Sequence, residues 1–145
     1  MSERVLVDTN VFVHAYDARR SAHHHQARSL LESDPRALAA SHQSMREFLA
    51  VATRPVASNG YGVHGPAAAR AWRALTGTID SLVETKASQS LLLEFVDAGL
   101  ASSRQVHDAN LVAVALDHGA TTLITDNVRH FERFAHLIRI EPLDG

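Results

Sequence analysis

Four acidic residues of this chain stand where carboxylates could do chemistry: Asp8, Glu47, Asp108 and Asp126. Asp8 ends the apolar run Val5-Leu6-Val7 and is followed by Thr9 and Asn10, residue types that favour turns and helix N-caps. Asp126 stands in the same relation to Leu123-Ile124-Thr125, with Asn127 next. Glu47 and Asp108 fall early in two amphipathic segments. Carboxylates crowded together repel one another unless a cation sits between them. An all-oxygen set suits Mg2+ or Mn2+, and the chain has no cysteine to select Zn2+. Such a site can polarise a phosphodiester, generate hydroxide and stabilise the leaving oxygen. A plainer reading stays open at two of the four. Asp8 or Thr9 can be a helix N-cap, and Ser44-x-x-Glu47 matches a capping box in which Glu47 only holds a backbone N–H. Ser41 as the cap would leave Glu47 free to face Asp8.

The elements that must position these residues alternate between strand and helix. Val5 to Val7 reads as a strand buried on both faces, and Val11, Phe12, Ala15 and Tyr16 recur at helical spacing. His23-His24-His25 reads as a solvated helix start, because consecutive helical side chains point about 100° apart and cannot converge on one ion. Ala27, Leu30 and Leu31 carry that helix to Ser33-Asp34-Pro35. Ala37 to Ala40 is a second strand, and the helix carrying Met45, Phe48, Leu49 and Ala52 ends before Arg54-Pro55. Ala57 to Pro66 reads as a loop without any phosphate-binding glycine pattern. A helix follows from Ala67 to Leu75, with Trp72 in the core or at a subunit contact, then a strand over Ser81–Glu84. Gln89 to Ala98 is helical and closed by Gly99. Ser102-x-x-Gln105 opens the helix that carries Val106 to Leu116 and ends at Gly119. Thr122–Thr125 is a strand, Val128–Phe134 a short helical segment, and Ile138–Ile140 a last strand. The pattern predicts a three-layer α/β sandwich over residues 1–145, one domain, with a mostly parallel sheet of about four to five strands flanked by helices. In such sheets the strand C-termini and the helix N-termini gather at one edge, where all four acids could meet.

Composition bounds the function. The 145 residues carry 14 Lys plus Arg against 16 Asp plus Glu, a net charge of −2, which is not the footprint of a protein that grips nucleic acid by bulk charge. Lys86 is the only lysine. The absence of cysteine excludes disulfides, and the start Met1-Ser2-Glu3-Arg4 runs into the first strand with no apolar leader. No stretch approaches a membrane span, so a cytoplasmic protein is expected.

The four blocks together resemble the PIN-domain ribonucleases, and among them the VapC toxins of type II toxin–antitoxin modules. Val7-Asp8-Thr9-Asn10 is similar to the family's opening motif, and Met45 to Pro55, with Glu47, to its second acidic block. Val106-His107-Asp108-Ala109 is similar to the third, and Leu123 to Phe131 to the closing T-x-[DN]-x-x-x-F block. The resemblance implies a PIN-like fold and catalysis by Asp8, Glu47 and Asp108, with Mg2+ or Mn2+ held by the same three residues. It gives Thr9, Asn10 and Thr125 supporting hydrogen-bonding roles. The family's fourth acid falls two places after the threonine, where this chain has Asn127; Asp126 lies one place early, and the family register favours Asn127 as the inward residue. The implied partners are an RNA substrate, a cognate antitoxin and a second copy of the chain, the last also suggested by Trp72 and Phe95 amid 46% apolar residues. Two other classes compete. One is another acidic-site phosphoryl hydrolase, although Asp8-Thr9-Asn10 lacks the second acid of a D-x-D site. The other is a PIN-fold binding module that has lost catalysis, a reading that Asn127 leaves open.

Overall fold

The computed structural model describes residues 3–144. Met1 and Ser2, part of the expected leaderless start, lie outside the described residues. Five strands, β1 (Arg4–Val7), β2 (Ala37–Ser41), β3 (Asp80–Leu82), β4 (Thr122–Thr125) and β5 (Arg139–Pro142), form one sheet in the order β3-β2-β1-β4-β5. Every neighbouring pair is parallel. The chain builds outward from β1 to β3 on one side, then crosses back to lay β4 and β5 on the other. The reversal falls between β1 and β4, whose C-terminal ends therefore flank the crevice where open α/β sheets bind ligands.

Among the described residues six helices cover the sheet: α1 (Thr9–Tyr16), α2 (His24–Ser33), α3 (His42–Thr53), α4 (Gly65–Leu75), α5 (Lys86–Asp97) and α6 (Gln105–Asp117). Two 3-10 turns span Val56–Ser58 and Val128–Phe134. Strand side chains alternate between two cores. Leu6, Ala39 and Leu123 pack with α5, α6 and the second 3-10 turn, through Phe95, Val112, Phe131 and Phe134. Val5, Val7, Leu38, Ala40 and Ile124 pack the other way on α1, α3 and α4, through Phe12, Phe48 and Ala68. A sheet covered on both faces needs strands with continuous apolar runs, as β1 has over Val5–Val7.

Several boundaries depart from the sequence reading. The fifth helix starts at Lys86 rather than Gln89, because Thr85 and Ser88 form a reciprocal capping box. Strand β3 closes at Leu82, two residues before the expected end. At α6 the N-cap is Arg104 with no side-chain cap bond; Gln105 instead reaches back to the Ser102 N–H at 3.3 Å. The histidine run is more than a solvated helix start. His24 Nδ1 lies 3.0 Å from the His14 carbonyl oxygen and His23 lies beside Asp126, so the run pins α2 on α1; His25 is exposed. Phe95 is buried, and Trp72 packs on Phe12 and Phe48 at ring separations of 4.9 and 5.4 Å, so both rings serve the cores. Among the described residues no helix is long and apolar enough to cross a membrane.

Candidate active site

Asp8 is the first residue past β1 and the N-cap of α1, so one side chain ends a strand and starts a helix. Its Oδ1 accepts the Thr9 backbone N–H at 2.7 Å and its Oδ2 accepts the Thr125 hydroxyl at 2.8 Å. The cap and the strand end are thus the same feature. Asp8 is only 8% exposed. Burial pushes its pKa up to about 6; the Thr125 and Thr9 hydrogen bonds oppose that rise, and the Glu47 and Asp108 charges add to it.

Glu47 reaches the same region from α3. Ser41 is the N-cap of that helix and accepts the Ser44 N–H at 3.0 Å, so the Ser44-x-x-Glu47 capping box does not form. Glu47 is left free to accept the Thr9 hydroxyl at 2.8 Å and the Gln43 amide at 2.9 Å. Asp108 arrives from the first turn of α6, partly buried, and burial raises its pKa as well. The neighbouring charges of His130 and Arg133 work against that rise, and Glu47 works with it. Each carboxylate therefore feels Glu47 or is Glu47, although the three come from separate elements. Among the described residues no three acidic or histidine side chains stand close enough to hold a metal ion as they are. Uncompensated carboxylates hold apart. The donor set is all oxygen and suits a hard divalent cation, whose charge would relieve the repulsion felt at Asp8.

The closing block divides its two candidates. Asp126 turns to α1, with its Oδ2 2.7 Å from His14 Nε2 and its Oδ1 3.6 Å from His23 Nε2. Asn127 faces the other way. Its amide nitrogen lies 3.1 Å from His130 Nδ1, which is itself 3.8 Å from Asp108 Oδ2. Asn127 is therefore one ring from Asp108, while Asp126 is held by histidines. Asp126 does not cap the following 3-10 turn, whose N-cap is Asn127. The Thr125 hydroxyl that donates to Asp8 also accepts the Asn127 N–H at 2.9 Å. Asn10 spans the same gap, donating to Thr125 Oγ1 at 3.4 Å and accepting the Asp126 N–H at 3.2 Å.

The sequence reading assigns three polar residues of this network no part in the site, and takes Ser44 only as a possible cap. Gln43 links Glu47 to the His107 carbonyl oxygen, Ser44 meets Thr9 Oγ1 at 2.9 Å, and Asn110 donates to Gln43 and to Glu84. Gln43 precedes Glu47 by one helical turn, and that spacing was available as a signal. His14 likewise lies one turn after Asn10, on the face that meets the end of β4.

The family model described as PIN domain matches residues 5–137 of the chain. The chain belongs to the PIN domain family. Solved structures share the fold of this PIN domain over nearly its whole length. VapBC from Salmonella typhimurium, bound to DNA, is 19% identical with a TM-score of 0.67, over 97% of this chain and 98% of that one. VapBC-1 from nontypeable Haemophilus influenzae is 19% identical with a TM-score of 0.66, over 98% and 99%. VapC20 of Mycobacterium tuberculosis, a toxin that cleaves the sarcin–ricin loop, is 20% identical with a TM-score of 0.61, over 82% and 86%. No curated protein matches the sequence of this PIN domain.

Proposed function

We propose that this PIN domain, acting over the whole chain as one unit in the cytoplasm, is a metal-dependent endoribonuclease and the toxin of a toxin–antitoxin pair. The observation that carries the reading is electrostatic: Asp8, at the end of β1 beside the switch point, is pushed up to about 6 by burial with the charges of Glu47 and Asp108, which come from two other elements, adding to the rise. The solved relatives include a toxin–antitoxin complex from Klebsiella pneumoniae and a toxin that cleaves the sarcin–ricin loop, which supports an RNA substrate and an antitoxin partner. A homodimer belongs to the same reading.

Asp8, Asp108 and Glu47 are the groups that would hold Mg2+ or Mn2+. When bound, such an ion neutralises the clustered charge and polarises a phosphodiester. The chain's own residues do the rest. Thr125 and the Thr9 N–H fix the Asp8 carboxylate, and Thr9 and Gln43 fix that of Glu47. One of these oriented carboxylates takes the proton of the attacking water. Asn127 stands where the family register places the fourth acid and brings no charge.

The test is cleavage of RNA by purified chain with Mg2+, with Mn2+ and with chelator, for the wild type and for Asp8→Asn and Asp108→Asn. Cleavage should need the ion, and either variant should lose at least about a hundredfold in rate, the size of effect expected when a preorganised electrostatic group is removed. An active Asp8→Asn chain, shown free of contaminating ribonuclease, would remove the proposal. RNA binding with no cleavage under any metal would favour the binding module instead.

A further inference from the structure

Beyond the end of α1, the chain and the loop after α3 enclose an open groove of about 570 Å3, lined by Tyr16, Asp17, Arg19, Arg20, Val56 and Tyr61. The Tyr61 hydroxyl donates to Asp17 Oδ2 at 2.6 Å, and the Arg20 guanidinium lies over the Tyr61 ring, 4.7 Å from its centroid. Tyr16 meets the same ring edge-on at 5.4 Å. The phenol is therefore committed, its pKa pushed up to about 12 by burial and by Asp17, and what the residue offers a ligand is its ring. The Asp17 charge is answered as well. Burial works to raise its pKa, but the Tyr61 hydroxyl, the Arg20 N–H and the Arg20 guanidinium prevail and hold it below the usual carboxylate range. Arg19 is exposed, and among the described residues no acidic side chain pairs with it.

The loop on the far wall is built rather than loose. The N–H groups of Gly60, Tyr61, Gly62 and Val63 donate to the carbonyls of Pro55, Val51, Arg54 and Ala52. Gly60 packs so closely on the Arg54 carbonyl oxygen that a Cβ there would lie 2.0 Å from it, and Gly62 has φ +62°. This construction holds Val56 67% exposed. An apolar side chain kept in water on a rigid loop, beside a fixed aromatic ring and two guanidiniums, is a surface for a flat and anionic ligand.

We infer that this groove holds single-stranded RNA as it runs to the carboxylates, with a base on Tyr61 and Val56 and phosphate on Arg19. The inference rests on the ribonuclease reading. The helix α1 sets the distance: Asp8 caps its start, Asp17 its end, and its 8 residues span about 12 Å. The groove and the carboxylates can thus be served by neighbouring stretches of one strand. The complementarity is needed, because the acidic cluster repels the phosphates it must approach and the chain as a whole carries −2.

The experiment is fluorescence anisotropy of a short, labelled, mixed-sequence single-stranded RNA with the full chain, carried out on an Asp8→Asn background so that the RNA stays intact. Arg19→Glu and Val56→Asp should each weaken binding by about tenfold, the scale of one lost stacking or phosphate contact, while Tyr61→Phe, which keeps the ring, should hold affinity. Arg19→Ala should lower the slope of log Kd against log salt by about 0.7, a readout that a structural role would not move. Both Arg19 and Val56 are exposed, so thermal melts of their variants should match the parent. Unchanged RNA affinity in Arg19→Glu and Val56→Asp, in a chain whose wild type cuts RNA, would overturn the groove and leave the ribonuclease reading standing. A wild-type chain that neither binds nor cuts RNA would overturn both. If these variants lose only the binding of an acidic peptide and keep that of RNA, the groove belongs to a protein partner and the inference fails.

Discussion

Asp8 is buried, accepts two hydrogen bonds and still titrates near 6, because burial and two neighbouring carboxylates outweigh the donors. The consequence for stability has a definite sign. A group whose pKa is raised on folding, here from 3.8 to about 6, contributes stability that is present below the lower value and is lost as pH rises through the higher one. The metal-free chain should therefore weaken between those two values, and Asp8→Asn should flatten that part of the profile. Near pH 7 the variant should be more stable by about 1–2 kcal/mol, less than the full free energy of that rise, because asparagine offers one acceptor where Asp8 uses two. Urea melts of the chelated proteins across this window check it. A wild type whose stability is level through the window would show that Asp8 does not carry the strain assigned to it. The same scale separates the last two candidates: Asp126 is occupied by His14 and His23, whereas Asn127 stands beside the ring that faces Asp108.

The element that decides the site is the start of α3. Ser41 and Ser44 both fit an N-cap, and which of them caps decides whether Glu47 is spent on a backbone N–H or is available to Thr9. The strand supplies the answer. Strand β2 runs through Ser41, so the helix opens immediately after it, and the Ser41 hydroxyl takes the Ser44 N–H. Ser41→Ala should cost about 1 kcal/mol of stability, the usual worth of a cap. Glu47→Gln should not destabilise the chain, because it removes a charge that repels Asp8 and Asp108 and keeps an oxygen for the Thr9 hydroxyl, yet should remove most RNA cleavage. Thermal melts beside activity assays would separate the two. If Glu47→Gln destabilises like a lost cap while leaving cleavage intact, the helix uses the other box.

At the scale of the whole molecule, a second charged network ties the layers together. Arg36, just before β2, makes paired hydrogen bonds to Asp34 at 2.9 and 3.0 Å and to Glu141 of β5 at 2.8 and 3.1 Å. Strands β2 and β5 are not neighbours in the sheet, so the guanidinium links parts that backbone pairing leaves separate. All of these side chains are largely shielded, which makes the pairing worth more than a surface ion pair. Arg36→Ala leaves two carboxylates facing each other and should cost about 1–3 kcal/mol. Arg36→Lys should recover only part, since an ammonium cannot serve two planar forks. Denaturant melts of the two variants check this, and equal stabilities for lysine and wild type would reduce the network to simple charge.

What the chain's order of residues determined by itself is what local chemistry determines. The alternation of apolar strands with amphipathic helices follows from spacing within a few residues, and so do the placing of Asp8 at a strand end and the stop at Gly119. Boundaries slipped where two caps competed or where a Thr-x-x-Ser box went unread, as at Thr85. Other features rest on contacts between residues far apart in the chain, which no local pattern encodes. The sheet order put β1 beside β4, and that pairing alone carries Thr125 to Asp8. The turn of Asp126 towards His14, the recruitment of Gln43 and Asn110, and the closing of Tyr61 on Asp17 were decided the same way. Each is a hydrogen bond whose partners become neighbours only after the sheet has formed, so its geometry belongs to the tertiary structure.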